Sequence, residues 1–358
     1  MRVTVSAPGK LVLLGEYAVL FGHPAMVMAV DCRARVDLRS GDGPGWRVSA
    51  PGFCDDGAFF DLHPDRGFAW CTPGSEAADR LVLVERVLGP LVTEGFIDPR
   101  GLPPAIITLD TGEFFLPADG GRAKLGLGSS AALTVALVEA VRRWSPDDRR
   151  RQPLDLAELL AFHRSFQGGR GSGIDLAAST SGGVVEYRLI GEASNPDARP
   201  IDLPSTLEIV PVFTGRSAST SVFLARLYEG LQSDGGAIEV ALERLGRDSA
   251  AGIVHLKSGN TAAFLEGIDA FAASMRNLGR VTGIPVVSDE HIRLGEIAAE
   301  IGVRYKPSGA GGGDVGLGFT NDPDAAAAFA GQATAAGFVP LDLLIDPDGV
   351  RVENEHVG

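Results

Sequence analysis

Cysteine is scarce in this chain, positive charge is outnumbered, and no apolar run is long enough to cross a bilayer. The 3 cysteines, Cys32, Cys54 and Cys71, are odd in number and share no metal-binding or redox spacing. That argues against a disulfide framework and for a reduced, cytoplasmic chain. Lys and Arg total 32 against 46 Asp and Glu, a net charge of -14. Such a balance argues against general nucleic-acid binding or attraction to an anionic membrane, and no basic patch with interleaved aromatics appears. The arginine run 149–151 reads as solvated loop. The N-terminus lacks the apolar core of a signal peptide and starts at once with strand-like alternation. What the chain does have is 358 residues, 45% hydrophobic content and 47 glycines, enough for two domains with a substantial core.

The glycines cluster in loops, and the stretch Lys124-Leu125-Gly126-Leu127-Gly128-Ser129-Ser130-Ala131-Ala132 joins one such loop to a helical run. Leu133, Ala136, Leu137, Val138, Val141 and Trp144 recur at helical spacing, so a helix is predicted from about Ser129. Gly126 and Gly128 can take positive φ and bring backbone N–H groups close to a ligand, while the dipole of the helix start attracts negative charge. With the hydroxyls of Ser129 and Ser130 and the nearby Lys124, the arrangement suits a nucleoside triphosphate with its magnesium. It is not a Walker A loop, because no Gly-Lys-Ser/Thr follows the required gap. Gly-x-Gly-x-x-Ala also fits the dinucleotide fingerprint, but the preceding 118–122 is loop-like and no acidic residue closes a second strand downstream, which disfavours a Rossmann site. The bland alternative is a glycine turn that merely admits a helix.

Elsewhere, two predicted strands flank Pro8-Gly9, with Lys10 opening the second, followed by strands over 25–30 and 34–38. Lys10 is either simply exposed or aimed at a ligand. Residues 40–76 read as loops with short strands, a candidate flap, and 77–91 as a helix. Helix 154–167 leads to Gly171-Ser172-Gly173-Ile174-Asp175, a glycine turn feeding a short helix. Asp175 there either matches the helix dipole or accepts a proton from a substrate hydroxyl. The polar, proline-bearing 190–205 is the candidate linker between domains 1–195 and 196–358. Next comes Thr214-Gly215-Arg216-Ser217-Ala218-Ser219-Thr220 before another helix, either ordinary capping or a second phosphate site. Helices are predicted over 238–253, 261–278, 289–301 and 322–336, with strands at 207–213, 315–319 and 339–344 and a glycine-rich loop at 306–314. Strands and helices in both halves make an α+β architecture.

Three separated motifs carry a family resemblance: Ala7-Pro8-Gly9-Lys10-Leu11 with Gly15-Glu16-Tyr17-Ala18-Val19-Leu20; the central glycine loop through Ala132; and Lys306-Pro307-Ser308-Gly309-Ala310-Gly311-Gly312-Gly313-Asp314. Together they resemble the three signatures of the GHMP small-molecule kinases and span nearly the whole chain. Within that superfamily His163-Arg164 with Gln167-Gly168, the 171–178 segment, the 214–220 segment and Gly313-Asp314 are most similar to phosphomevalonate kinases. Mevalonate kinases tend to carry a magnesium-binding glutamate on the helix before the catalytic aspartate, where this chain has Arg164.

The resemblance implies a two-domain fold, an N-terminal domain like the second domain of ribosomal protein S5 and a C-terminal ferredoxin-like domain, with the site between them. It implies ATP and magnesium as cofactors and a phosphorylated small molecule, 5-phosphomevalonate, as acceptor. Lys10 and Asp175 would be catalytic. Lys124, Gly126, Leu127, Gly128, Ser129, Ser130 and Ala131 would bind ATP, with Ser129 or Ser130 reaching the metal. Lys10, Ser172, Gly173, Arg216, Ser217, Ser219, Thr220, Gly309, Ala310, Gly311 and Gly312 would bind the acceptor. Another kinase of the superfamily, a non-catalytic sensor and the decarboxylase branch are the alternatives; the retained Lys10, Ser129, Ser130 and Asp175 weigh against a sensor, and the Gly-Leu-Gly-Ser-Ser loop with the Gly-Gly-Asp ending against a decarboxylase.

Overall fold

The computed structural model describes residues 1–356 apart from 42, 44, 119–120, 146–153, 167–170 and 192–194. The arginine run 149–151 and the pair Gln167-Gly168 therefore lie outside the described residues. In chain order the first half contains strands β1 (Arg2–Leu14), β2 (Ala25–Ser40), β3 (Trp46–Ala50), β4 (Cys54–His63) and β5 (Gly67–Trp70), then helices α1 (Glu76–Arg80) and α2 (Val82–Thr93). It continues with β6 (Ala105–Asp110), β7 (Phe115–Ala118), β8 (Gly121–Lys124), α3 (Ser129–Trp144), α4 (Leu156–Phe166), α5 (Ile174–Ser181), β9 (Val184–Ile190) and β10 (Asn195–Pro200). The second half holds β11 (Glu208–Phe213), α6 (Thr220–Lys257), α7 (Thr261–Thr282), α8 (Asp289–Ile301), β12 (Arg304–Pro307), β13 (Val315–Thr320), α9 (Pro323–Ala335), β14 (Val339–Pro340) and β15 (Arg351–His356).

Two sheets organise these elements. The larger runs β10-β9-β2-β6-β3-β4-β5, with β1 against β2 and β15 against β1. Among the described residues only β3 and β6 pair in parallel. β1 is buried along nearly its whole length, because β2 and β15 cover its edges while α3 and α5 pack on it. The smaller sheet, β12-β13-β11-β14, is antiparallel and packs against α7, α8 and α9.

Several expectations change. Pro8 and Gly9 do not split a strand. They sit at a register shift within β1, and such bulges tolerate a missing donor and a small residue. The two strands expected over 25–38 are one, β2. Residues 46–70 extend the large sheet instead of forming a flap, since Phe60 stacks on Phe68 with ring centroids 4.6 Å apart and Trp70 closes edge-on over both. Of the loop-like 118–122, Ala118 ends β7 and Gly121 and Arg122 open β8, which pairs antiparallel with β7. The candidate linker carries β10, an edge strand on β9. Gly235 and Gly236 do not end a helix. Each costs about 1 kcal/mol in a helix interior, and packing of α6 along α7 outweighs it. The strand expected at 339–344 shortens to β14, and the chain then returns to place β15 beside β1 in the large sheet. Arg33 secures that return: buried, it pairs with Asp346 and donates to the Ser6 and Gly349 carbonyls at 3.0 and 2.6 Å.

Candidate active site

Lys10 is buried in mid-β1, and its ammonium lies 3.6 Å from Asp175 Oδ1. Register places the lysine. Its backbone N–H donates to the Leu127 carbonyl at 2.8 Å, and the Ser179 hydroxyl donates to the Pro8 carbonyl at 2.8 Å, so β1 is fixed to the glycine loop on one side and to α5 on the other. Gly173, at φ 75°, caps α5 and sets Asp175 in its first turn. A Cβ on Gly128 would meet Lys10 Cγ at 3.1 Å and Asp175 Oδ2 at 3.7 Å, and one on Gly309 would lie 3.6 Å from Lys10 Nζ. All three sequence motifs and the Asp175 turn thus converge on one ammonium.

The glycine loop has the expected geometry. Gly126 and Gly128 have φ of 75° and 80°, values that disfavour any side chain, and Gly128 is the N-cap of α3. Its carbonyl starts the helix by accepting the Ala132 N–H, leaving the first-turn N–H groups of 129–131 for a ligand. Together they border a cavity of about 790 Å³. Lys124, Gly126, Gly128, Ser129, Ser130 and Ala131 line it, and so does Arg86 of α2. Ser172, Gly173, Asp175, Ser219, Thr220 and Ser221 also line it, as do Gly309 and Ala310.

The third loop is stitched to β1. Ser308 Oγ accepts the Val12 N–H and donates to the Val12 carbonyl, both at 3.0 Å, and Lys306 Nζ donates to that carbonyl at 3.2 Å. Lys306, fully buried, also pairs with buried Glu16. Burial pushes the Glu16 carboxyl up and the Lys306 ammonium down, and each opposes the other's shift. Tyr17, at φ 60°, donates its hydroxyl to the Ala310 carbonyl at 2.5 Å, and burial raises its phenol. His163 of α4 reaches the same cavity, its imidazole pKa lowered by burial and opposed by Asp175.

Some anticipated residues stand elsewhere. Arg216 is exposed and paired with Glu290 at 3.0 Å, away from the cavity lining. The Ser288 hydroxyl and Arg216 hold the Glu290 carboxyl down at about 2. Ser217 donates to the Lys124 carbonyl at 2.8 Å instead of facing the cavity. Leu127 is buried and contributes its carbonyl to Lys10, while Gly311 and Gly312 pack on Val286 and Phe223. Arg164 donates to the Gly171 carbonyl at 3.2 Å. Conversely, Glu16, Tyr17, Arg86, His163, Ser221 and Asp314 reach the cavity although sequence reasoning gave them no role there. Glu16, Tyr17 and Asp314 lay inside recognised motifs; Arg86 carried no local signal.

Comparison with known proteins bears out the resemblance. Residues 118–183, which include the glycine loop and Asp175, match the model for the GHMP kinases N terminal domain. A phosphomevalonate kinase of Streptomyces sp. (strain CL190) is 29% identical over 87% of this chain and 88% of its own length. A mevalonate kinase of Thermococcus sibiricus is 28% identical over 99% of both. The Streptococcus pneumoniae phosphomevalonate kinase, solved in complex with phosphomevalonate and AMPPNP, superimposes with a TM-score of 0.74 at 17% identity, covering 96% of this chain and 99% of that one. The chain has the fold of the GHMP kinases and is similar in sequence to kinases of that superfamily. GHMP kinases use ATP, and the donors facing this cavity fit the magnesium that accompanies it. Ser129, Ser130, Asp175 and Asp314 offer hard oxygen ligands beside a glycine-loop cradle that any Cβ would fill. Among the described residues no helix is long and apolar enough to cross a membrane.

Proposed function

We propose that this kinase transfers the γ-phosphoryl group of ATP to the phosphate of 5-phosphomevalonate, giving the diphosphate and ADP. The observation that carries this reading is the placement of the Lys10–Asp175 pair, 3.6 Å apart, in the cavity that the glycine loop shares with the hydroxyl residues Ser172, Ser219 and Thr220. The Streptomyces relative and the pneumococcal neighbour support phosphomevalonate as acceptor.

In this reading Lys124, Gly126, Gly128, Ser129, Ser130 and Ala131 hold the nucleotide phosphates, with the α3 dipole behind them. Ser129 or Ser130 would hold the magnesium, which would supply charge neutralisation to the transferring group. Ser172, Gly173, Ser219 and Thr220 bind the acceptor with Gly309 and Ala310. An oxygen of the acceptor phosphate attacks the γ-phosphorus, and the bond from that phosphorus to the bridging oxygen breaks towards ADP. A phosphate monoester with a second pKa of about 6 is already largely ionised at neutral pH, so little proton transfer is needed. Catalysis is then positioning and charge neutralisation, the work of a buried ammonium. Lys10 stabilises the attacking oxygen and the transferring group, and Asp175 holds Lys10 and orients the acceptor.

The test is steady-state ADP release with ATP, magnesium and, separately, 5-phosphomevalonate, mevalonate and 5-diphosphomevalonate. A kcat/KM for 5-phosphomevalonate at least ~100-fold above the others is the expected result. Preference for mevalonate would overturn the acceptor assignment and retain a mevalonate kinase. Silence on all three would overturn the pathway assignment.

A further inference from the structure

The third loop brings a carboxylate directly against the glycine loop. Asp314 has φ 56°, an αL conformation that Asp adopts more readily than most residues. Its backbone is fixed on both sides: its N–H donates to the Arg216 carbonyl at 2.6 Å, and its carbonyl accepts the Thr214 N–H at 2.9 Å. The two side-chain oxygens have different surroundings. Oδ1 accepts the Ala218 N–H at 3.0 Å, whereas Oδ2 accepts no hydrogen bond among the described residues. A Cβ on Gly126 would lie 2.4 Å from Oδ2, so the carboxylate rests on the bare backbone of the loop. Asp314 lines the cavity, with Lys10 and Lys124 as the cations facing it.

An acidic oxygen in this position opposes the charge of any phosphate that enters the glycine loop. A divalent cation between them reverses the sign, because it attracts both, and magnesium is characteristically held by one or two carboxylates together with substrate phosphates. Capping of the 214–220 turn does not explain the second oxygen, since that contact uses Oδ1 alone.

We propose that Asp314, through Oδ2, is a carboxylate ligand, direct or through water, for the divalent cation that accompanies the nucleotide. The proposal rests on the nucleotide reading of this cavity. It makes the third loop, and not only the helix start at Ser129 and Ser130, part of the metal site.

Calorimetric titration of AMPPNP into wild type and Asp314→Asn, each in EDTA and in millimolar Mg2+, tests it. Asn keeps an oxygen for the Ala218 N–H and removes the charge. In EDTA the variant should bind AMPPNP more tightly than wild type. Addition of Mg2+ should tighten wild type at least ~10-fold more than the variant, the scale of one charge-assisted contact. An equal Mg2+ response in both proteins would overturn the proposal. Wild type that binds no AMPPNP under either condition would overturn the nucleotide reading beneath it. Wild-type protein supplies a second readout that needs no variant: Fe2+ with ascorbate, in the presence of AMPPNP, should cleave the chain beside residue 314. Nucleotide-dependent cleavage near 129–130 with none beside 314 would also overturn the proposal.

Discussion

Lys10 Nζ stands 3.6 Å from Asp175 Oδ1, the lysine side chain 9% exposed and the aspartate 40%. An ion pair half open to solvent contributes little to stability, yet it aims a buried ammonium that touches both the glycine loop and the third loop. Lys10→Met and Asp175→Asn should therefore keep the fold while lowering kcat at least ~100-fold, the scale of losing a positioned charge in the transition state. Circular dichroism melts and single-turnover rates check the two halves of that statement. Wild-type turnover in either variant would remove that residue from the mechanism.

Gly126 should be equally intolerant for a different reason. At φ 75° a Cβ would come within 2.3 Å of Asp314 Cγ. Gly126→Ala then carries both backbone strain, of order 1–3 kcal/mol, and displacement of the third loop. Binding of a fluorescent ATP analogue should weaken at least ~10-fold; unchanged binding would show that the loop does not hold nucleotide.

Much of this site was legible because its parts are local. Positive-φ glycines before a helix, and an aspartate in a first helical turn, follow from short stretches of chain. The fold was less legible where pairing is distant. β15 belongs to β1 only through a register some 350 residues apart in sequence, and β1 continues through Pro8 and Gly9 only because its partner strand shifts with it. The order of 46–70 depends on Phe60, Phe68 and Trp70 meeting across strands. Arg216 illustrates the limit of composition: beside four hydroxyl residues it read as a phosphate grip, whereas Glu290, far along the chain, takes the guanidinium.

The Glu16–Lys306 pair should matter chiefly through burial. Removing one partner leaves an unpaired charge in the interior, at a cost of about 3–5 kcal/mol. Lys306→Met alone should lower the urea midpoint strongly, and Glu16→Gln added to it should restore part of the loss. Additive destabilisation in the double variant would mean that the two residues do not form a functional pair.

Acid sensitivity has a specific source in His291. Buried, it receives the Tyr305 hydroxyl on Nδ1 at 2.8 Å and donates from Nε2 to the Gly313 carbonyl at 2.9 Å. Burial lowers its pKa from 6.5 to about 4; the Gly313 carbonyl and Glu290 oppose the shift and Lys306 adds to it. The unfolded state binds the proton first, so the stabilisation is complete above pH 6.5 and is lost as pH falls from there towards 4, up to roughly 3 kcal/mol. Buried His163 shifts the same way. His291→Gln should flatten, without abolishing, the decline in denaturation free energy between pH 7 and 5. An unaltered slope would contradict this assignment.

The central claim is that the acceptor atom is a phosphate oxygen, and ³¹P NMR of the reaction with ATP, magnesium and 5-phosphomevalonate tests it most directly. Two coupled doublets of a new diphosphate, growing as the substrate singlet and the ATP signals decline, are the predicted result. A product with two phosphorus singlets would place the new phosphoryl group on a carbon-bound hydroxyl instead and contradict the account.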